Sequence, residues 1–271
     1  MSNLSPGNPI QPLSVGDVVN AGVRIYRSHL KQFLTLALIA YLWILVPIYG
    51  WAKYSEILAR ISRLAFQELI NQPESNLEAQ QQTRPRMWSF FFAGILVGLI
   101  FFGIYVAFAI VFGIVAFITG ILFATAPALG AIGVLILIAG VFAVLFTLIR
   151  LLSRLLIVEV PLAIEENSDA TIAISRSWNL TKGSVGRIQW VVVVAFLISL
   201  LFNLPAQIIG AALPTGPDVE SSVVAISSFI VIAVSLISSA LITPFWQVIK
   251  AVIYYDLRAR REGFGLELRD R

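Results

Sequence analysis

The side chains that ordinarily carry catalysis are nearly missing from this sequence. It holds no cysteine and a single histidine, His29. Thiolate metal sites, cysteine nucleophiles, paired-histidine zinc sites and histidine-based triads therefore have no raw material. His29 sits in Arg27-Ser28-His29-Leu30-Lys31, and a solvated or headgroup-facing ring is the preferred reading, because a general-base histidine needs an orienting partner. No glycine-rich phosphate loop opens a helix. No cofactor, no metal and no enzymatic activity are expected.

Three polar groupings remain. Glu159-Val160-Pro161 follows Arg150 and Arg154. A carboxylate beside a proline, which lacks a backbone donor, could gate or bind a cation or proton; a helix end with interfacial Glu–Arg pairing is the preferred alternative. Asn167-Ser168-Asp169 reads as the start of a short helix through Ser177-Trp178, with Gly183 closing it. There Arg176, Lys182 and Arg187 are candidates for holding a lipid phosphate, with Trp178 suited to the interface; a structural elbow between hairpins is preferred. Ser228, Ser235, Ser239, Thr243 and Gln247 fall within about 120° of one helix face, and Pro244 adds a kink. That face reads as a polar lining for a substrate path or, preferably, as small-residue packing with hydroxyls returned to backbone carbonyls. Gly94-xxx-Gly98 suggests packing as a general theme, and Asn203, Pro205 and Gln207 form the comparable cluster of the preceding span.

The elements that would position these groups follow from composition. Of 271 residues 58% are apolar and 13% charged, with mean hydropathy +0.88. The charged share is about half that of a soluble domain. A disordered chain, a nucleic-acid binder and a soluble enzyme are excluded; an all-α, polytopic integral membrane helix bundle remains. The net charge of +4 fits loop bias rather than a nucleic-acid partner. The distance between charges is the ruler. Residues 32–52, 87–149, 188–217 and 221–249 are uncharged runs, and about 20 helical residues cross the hydrocarbon core. The second run would reach roughly 95 Å as one straight helix, so it should be a hairpin broken between Thr119-Gly120 and Pro127-Ala128.

The predicted organisation is a single membrane domain with five or six membrane segments. It comprises an N-terminal amphipathic helix (1–31), a first span with an amphipathic helix and a polar loop (32–86), a hairpin (87–149), a cytoplasmic elbow (150–187), a second hairpin (188–249) and a cytoplasmic tail (250–271). No secretory signal is expected, because Met1–Pro12 lacks an apolar core. Lys53, Glu56, Arg60, Arg63 and Gln67 recur at 3- and 4-residue steps on one face of the 51–71 helix, and 71–86 reads as an aqueous loop. The tips near 119–128 and 213–222 carry no Lys or Arg, whereas 53–86, 150–187 and 250–271 carry five, five and six. Tips outside and bases inside follow, with the C-terminus cytoplasmic. The N-terminus is outside if only 33–51 crosses. Both termini are inside if 53–70 also crosses, or if Pro47-Ile48-Tyr49-Gly50 turns the first segment back; the last two are preferred. Asp256 and Arg260, at i,i+4, predict a helix continuing out of the membrane.

Three stretches resemble a known family. They are Val158-Glu159-Val160-Pro161 leading to Arg176-Ser177-Trp178-Asn179-Leu180-Thr181-Lys182-Gly183, the closing Tyr254-Tyr255-Asp256-Leu257-Arg258 with Arg261-Glu262-Gly263-Phe264, and the opening Pro12-Leu13-Ser14-Val15-Gly16-Asp17 with Arg24-Ile25-Tyr26-Arg27. In this order they resemble the glycerophosphoryl diester phosphodiesterase membrane-domain family. Gly265 departs from the pattern, which has Asp there. The resemblance implies the accessory membrane region without the hydrolase, since the hydrolase would need paired histidines and clustered carboxylates. The expected role is a non-enzymatic scaffold or accessory component of a membrane complex or envelope lipid process, in a bacterial cytoplasmic membrane, with lipids and other membrane proteins or a second copy as partners. The alternative is a small transporter or channel using the polar faces of the last two spans.

Overall fold

The structure, a computed structural model, describes residues 13–166, 168–214 and 220–262. The expectations placed on Met1–Pro12, Asn167, Asp218 and Gly263–Arg271 lie outside them. Among the described residues ten α-helices follow in order: α1 (Val15–Ser28), α2 (Leu30–Trp43), α3 (Tyr49–Leu69), α4 (Asn76–Thr83), α5 (Met87–Thr125), α6 (Pro127–Leu155), α7 (Glu159–Ile164), α8 (Ala170–Thr181), α9 (Val185–Ala212) and α10 (Ser221–Glu262).

Local sequence sets most boundaries. Ser14 and Asp17 form a reciprocal capping box that starts α1. Ser75 and Glu78 do the same for α4, so the predicted aqueous loop holds a short helix. Asp169 caps α8 through the Thr171 and Ile172 amides, and Gly183 follows it at φ 83°, a conformation glycine adopts without a Cβ penalty. The first hairpin breaks at Ala126, with Pro127 at the first position of α6, where a missing N–H costs nothing.

Four helices are long and apolar enough to cross a membrane: α5, α6, α9 and α10. The predicted five or six is corrected on the 33–51 segment. There α2 has 14 residues, about 21 Å, short of a hydrocarbon core of about 30 Å. The chain then turns back. Ile48 takes φ 60° and ψ −69°, the Tyr49 amide donates to the Pro47 carbonyl at 2.7 Å, and Gly50 sits against the Trp43 carbonyl, where a Cβ would not fit. This is a γ-turn of positive φ, rare for a β-branched residue. Ring contacts Trp43–Tyr49 and Tyr41–Tyr54 and the His29–Glu68 approach show α2 and α3 running antiparallel. The first apolar segment is thus a hairpin too short to span, with an exposed tip that includes Leu42, Leu45, Ile48 and Trp51.

Packing is concentrated at one end. The main core joins α1, α2, α3, α9 and the second half of α10, around Phe33, Phe66, Phe245 and Tyr254. A smaller core joins α3, α5, α6, α7 and α8 around Phe90, Leu155 and Leu162. The hairpin arms rise from this base. Along α5 and α6, Gly130, Gly133 and Gly140 lie so close to Phe123, Thr119 and Phe112 that a Cβ would clash. These glycines, not Gly94 and Gly98, are the packing residues: nothing lies within 4 Å of a Cβ built at either of the latter. Five helices form a closed circuit, because α5 packs on α6, α6 on α9, α9 on α10, α10 on α3 and α3 on α5.

Candidate functional site

Between α3, α5, α6, α7 and α10 lies a chamber of about 330 Å³, at the lower edge of the range for small-molecule sites. Phe90, Ala93, Gly94, Val97 and Phe101 of α5 line one wall. Their spacing of three and four residues places them on one helix face. Tyr54, Ser55 and Leu58 of α3, Leu152 and Leu155 of α6 and Leu156 just after it line others. The charged part is Glu159 of α7 and Lys250 of α10, paired at 2.7 Å and partly exposed to the chamber. Glu159 opens the short helix α7 rather than ending the preceding span, and its partner is Lys250 rather than Arg150 or Arg154. The Arg154 guanidinium instead stacks on Trp178 at 4.2 Å, and its Nε is buried without a hydrogen-bond partner.

The polar face predicted on the 51–71 helix is largely interior. Glu56 is fully buried and accepts from Arg60 at 2.7 and 2.8 Å, from Lys53 at 2.6 Å and from the Thr83 hydroxyl at 2.5 Å. α4 thus covers a charged seam of α3. One turn on, Arg63 pairs with Glu74 at 2.6 Å and donates to the Ala163 carbonyl, and Arg86 donates to the Leu162 and Glu165 carbonyls. These two arginines satisfy the C-terminal carbonyls of α7, which have no partner within the helix.

The three predicted phosphate contacts do not converge as free cations. Arg176 pairs with Glu165 at 2.8 Å and Glu262 at 2.5 Å. Burial opposes its charge, but the Glu165 hydrogen bond and both carboxylates outweigh this and raise its pKa. Arg187 pairs with Asp256 at 2.7 Å and donates to the Leu13 carbonyl, while Arg260 also meets Asp256, at 3.1 Å. Lys182 is exposed, and its carbonyl accepts from Arg261. The elbow is a salt-bridged joint between α1, α7, α8, α9 and the end of α10.

The predicted face of α10 divides. Ser228 and Ser235 are exposed and Ser239 is half-buried. Thr243 bonds the Tyr41 hydroxyl at 2.7 Å, and buried Gln247 accepts from Ser62 at 2.8 Å. The buried serines are Ser227 and Ser238, eleven residues apart and so nearly in line after three turns; the wider set around Ser228 concealed them. Tyr26 donates to the Leu241 carbonyl at 2.8 Å in the turn before Pro244, so α10 passes the proline with support from α1. Lys250 itself escaped the sequence reading, since it appeared only as the boundary of an apolar run.

The chain matches a family described as a domain of unknown function (DUF7847) over residues 81–257, and it belongs to that family. No curated protein and no solved structure matches it.

Proposed function

We propose that this DUF7847 member is a non-enzymatic integral membrane protein, a scaffold or accessory component of a membrane complex or an envelope lipid process. The observation that carries this reading is the uncovered first hairpin. None of the most apolar stretch of α5 and 6% of that of α6 is buried. Ala109, Gly113, Ala116 and Gly120 make a stripe of small residues along α5 that is exposed beside the α6 seam, with open space around Gly113 and Gly120. Small residues at steps of four and three are the surfaces on which membrane helices approach closely. Leu135, Phe142, Phe146 and Ile149 add an exposed stripe on α6. A hairpin whose most apolar stretches are almost wholly uncovered offers its perimeter to other helices.

The resemblance to the glycerophosphoryl diester phosphodiesterase membrane domain supports a lipid-linked setting. The distribution of Lys and Arg supports a bacterial cytoplasmic membrane with the hairpin tips outside and both termini inside, and the half-depth α2–α3 hairpin supports the same side for α1 and α4. The rival reading, a transporter or channel path along the α10 face, would require Thr243 and Gln247 to release Tyr41 and Ser62.

A photo-crosslinking residue at Phe117, beside the small-residue stripe, tests the scaffold role in native membranes. Protein adducts are expected there and should be lost in Gly113→Leu/Gly120→Leu. Lipid adducts alone would overturn it. Purified protein is also expected to show no turnover of glycerophosphodiesters; metal-dependent hydrolysis that scales with protein through repurification would refute the non-enzymatic assignment.

A further inference from the structure

The chamber has three features that bear on what fills it. Its walls are apolar and include Phe90, Val97 and Phe101 from α5 and Leu58 from α3. It meets one charged pair, Glu159–Lys250. It also lacks a full-height wall on one side. Between α5 and α10 the packing runs through α3, α7 and α8; of these α3 lines the chamber through Tyr54, Ser55 and Leu58 and begins at the α2–α3 tip, whose Trp51 and neighbouring Ile48 and Leu45 are exposed. α5 continues to Thr125 and α10 begins at Ser221, so both outrun α3 on its tip side. On the membrane placement proposed above, the chamber beyond that tip faces hydrocarbon rather than water.

We propose that the chamber holds one acyl chain of a zwitterionic phospholipid, entered sideways over the α2–α3 tip, with the headgroup on the Glu159–Lys250 pair. The pair as a unit is neutral. Lys250 has two N–H donors beyond the one given to Glu159, and Glu159 has its second carboxylate oxygen. A phosphate on Lys250 and a headgroup ammonium on Glu159 answer charge with charge. A headgroup with only negative charge meets the Glu159 carboxylate uncompensated, so anionic lipids are the poorer ligands. Gly94 fits the same purpose. A Cβ there would meet nothing within 4 Å, so its lack of a side chain widens the chamber without serving a helix contact. The proposal rests on the membrane placement proposed above but not on the scaffold role.

The test uses the full-length protein in phosphatidylcholine vesicles containing a phosphatidylcholine with a mid-chain diazirine, with adducts mapped by peptide mass spectrometry. Adducts are expected within 90–101 and 54–58. Filling the chamber with Gly94→Phe should remove them while thermal unfolding and labelling of the outer α6 stripe stay as in wild type. Val97→Trp provides the same blockade should Gly94→Phe fail to fold. A phosphatidylglycerol carrying the same diazirine chain should label the chamber less, and this preference should vanish in Glu159→Leu/Lys250→Met. Absence of chamber adducts in wild type, or adducts undiminished in a folded blocked variant, would overturn the site. Equal labelling by the two lipids in wild type would overturn the headgroup assignment. Loss of the Phe117 protein adducts leaves chamber labelling untouched, so failure of the scaffold role and of this site are separable.

Discussion

Among single residues, the carboxylate of Glu56 carries the largest electrostatic commitment. It is fully buried and holds Lys53, Arg60 and Thr83 at once. Removing one partner of a buried ion pair leaves uncompensated charge and costs about 3–5 kcal/mol. Glu56→Ala is expected to destabilise by that amount in detergent thermal unfolding, with Thr83→Ala far milder because only a hydroxyl is lost. The exposed capping carboxylates make a different prediction. Hydrogen bonds from the Ile172 amide and the Thr171 hydroxyl lower the pKa of Asp169, and the Ser75 amide and hydroxyl lower that of Glu78. A depressed folded-state pKa means the cap is fully effective above the unfolded value and is lost as pH falls through the folded one. The first turns of α4 and α8 should therefore fray on acidification below the ordinary carboxylate range, as read by amide chemical shifts. Asp169→Asn should abolish that acid dependence at α8.

At the level of elements, α10 is the informative helix. Its first half is mostly exposed, while most of its residues from Pro244 to Leu257 are buried. The buried serine seam runs through Ser227 and Ser238, not through Ser235. Overpacking a tight seam costs about 1–3 kcal/mol. Ser238→Leu is expected to lower the unfolding temperature, whereas Ser235→Leu, whose side chain points off the bundle, should leave it unchanged. Equal effects would mean that α10 is rotated from this register. The same helix explains why the fifth span failed. α2 needs to reach only Thr243 to pack, and Gly50 and the positive φ of Ile48 return the chain there.

The whole molecule is a salt-bridged base with two apolar arms. Asp256 gathers Arg187, Arg260 and the Leu13 amide, so the opening of the chain, the start of the second hairpin and the end of α10 meet at one carboxylate. On the membrane placement proposed above, Leu13 and the end of α10 lie on one side, and the end of α9 at Ala212 and the start of α10 at Ser221 lie on the other. Single cysteines at Gln72 and Arg261 should label from the same side of sealed membranes, and one at Glu220 from the opposite side. Labelling of Gln72 together with Glu220 would refute the half-depth hairpin.

The sequence by itself determined the all-α membrane class, the two long hairpins, the capped start of α8 and the helix that continues through Asp256 and Arg260. Each is a local or compositional property: helix length against bilayer thickness, a side chain reaching its own backbone, or a pair one turn apart. Tertiary structure decided how the charges are spent. Periodicity put Lys53, Glu56 and Arg60 on one face of α3 but carries no sign for water or protein beside it, and α4 made it interior. Arg176 and Arg187 looked available for phosphate because Glu262 and Asp256, more than sixty residues away in sequence, are invisible to spacing. Gly94 and Gly98 had the form of a packing motif, yet the close contacts fell to Gly130, Gly133 and Gly140. The chamber needs five helices to exist, and Glu159 found Lys250 only once they closed, because a cavity is a property of relative placement that a one-dimensional pattern does not encode.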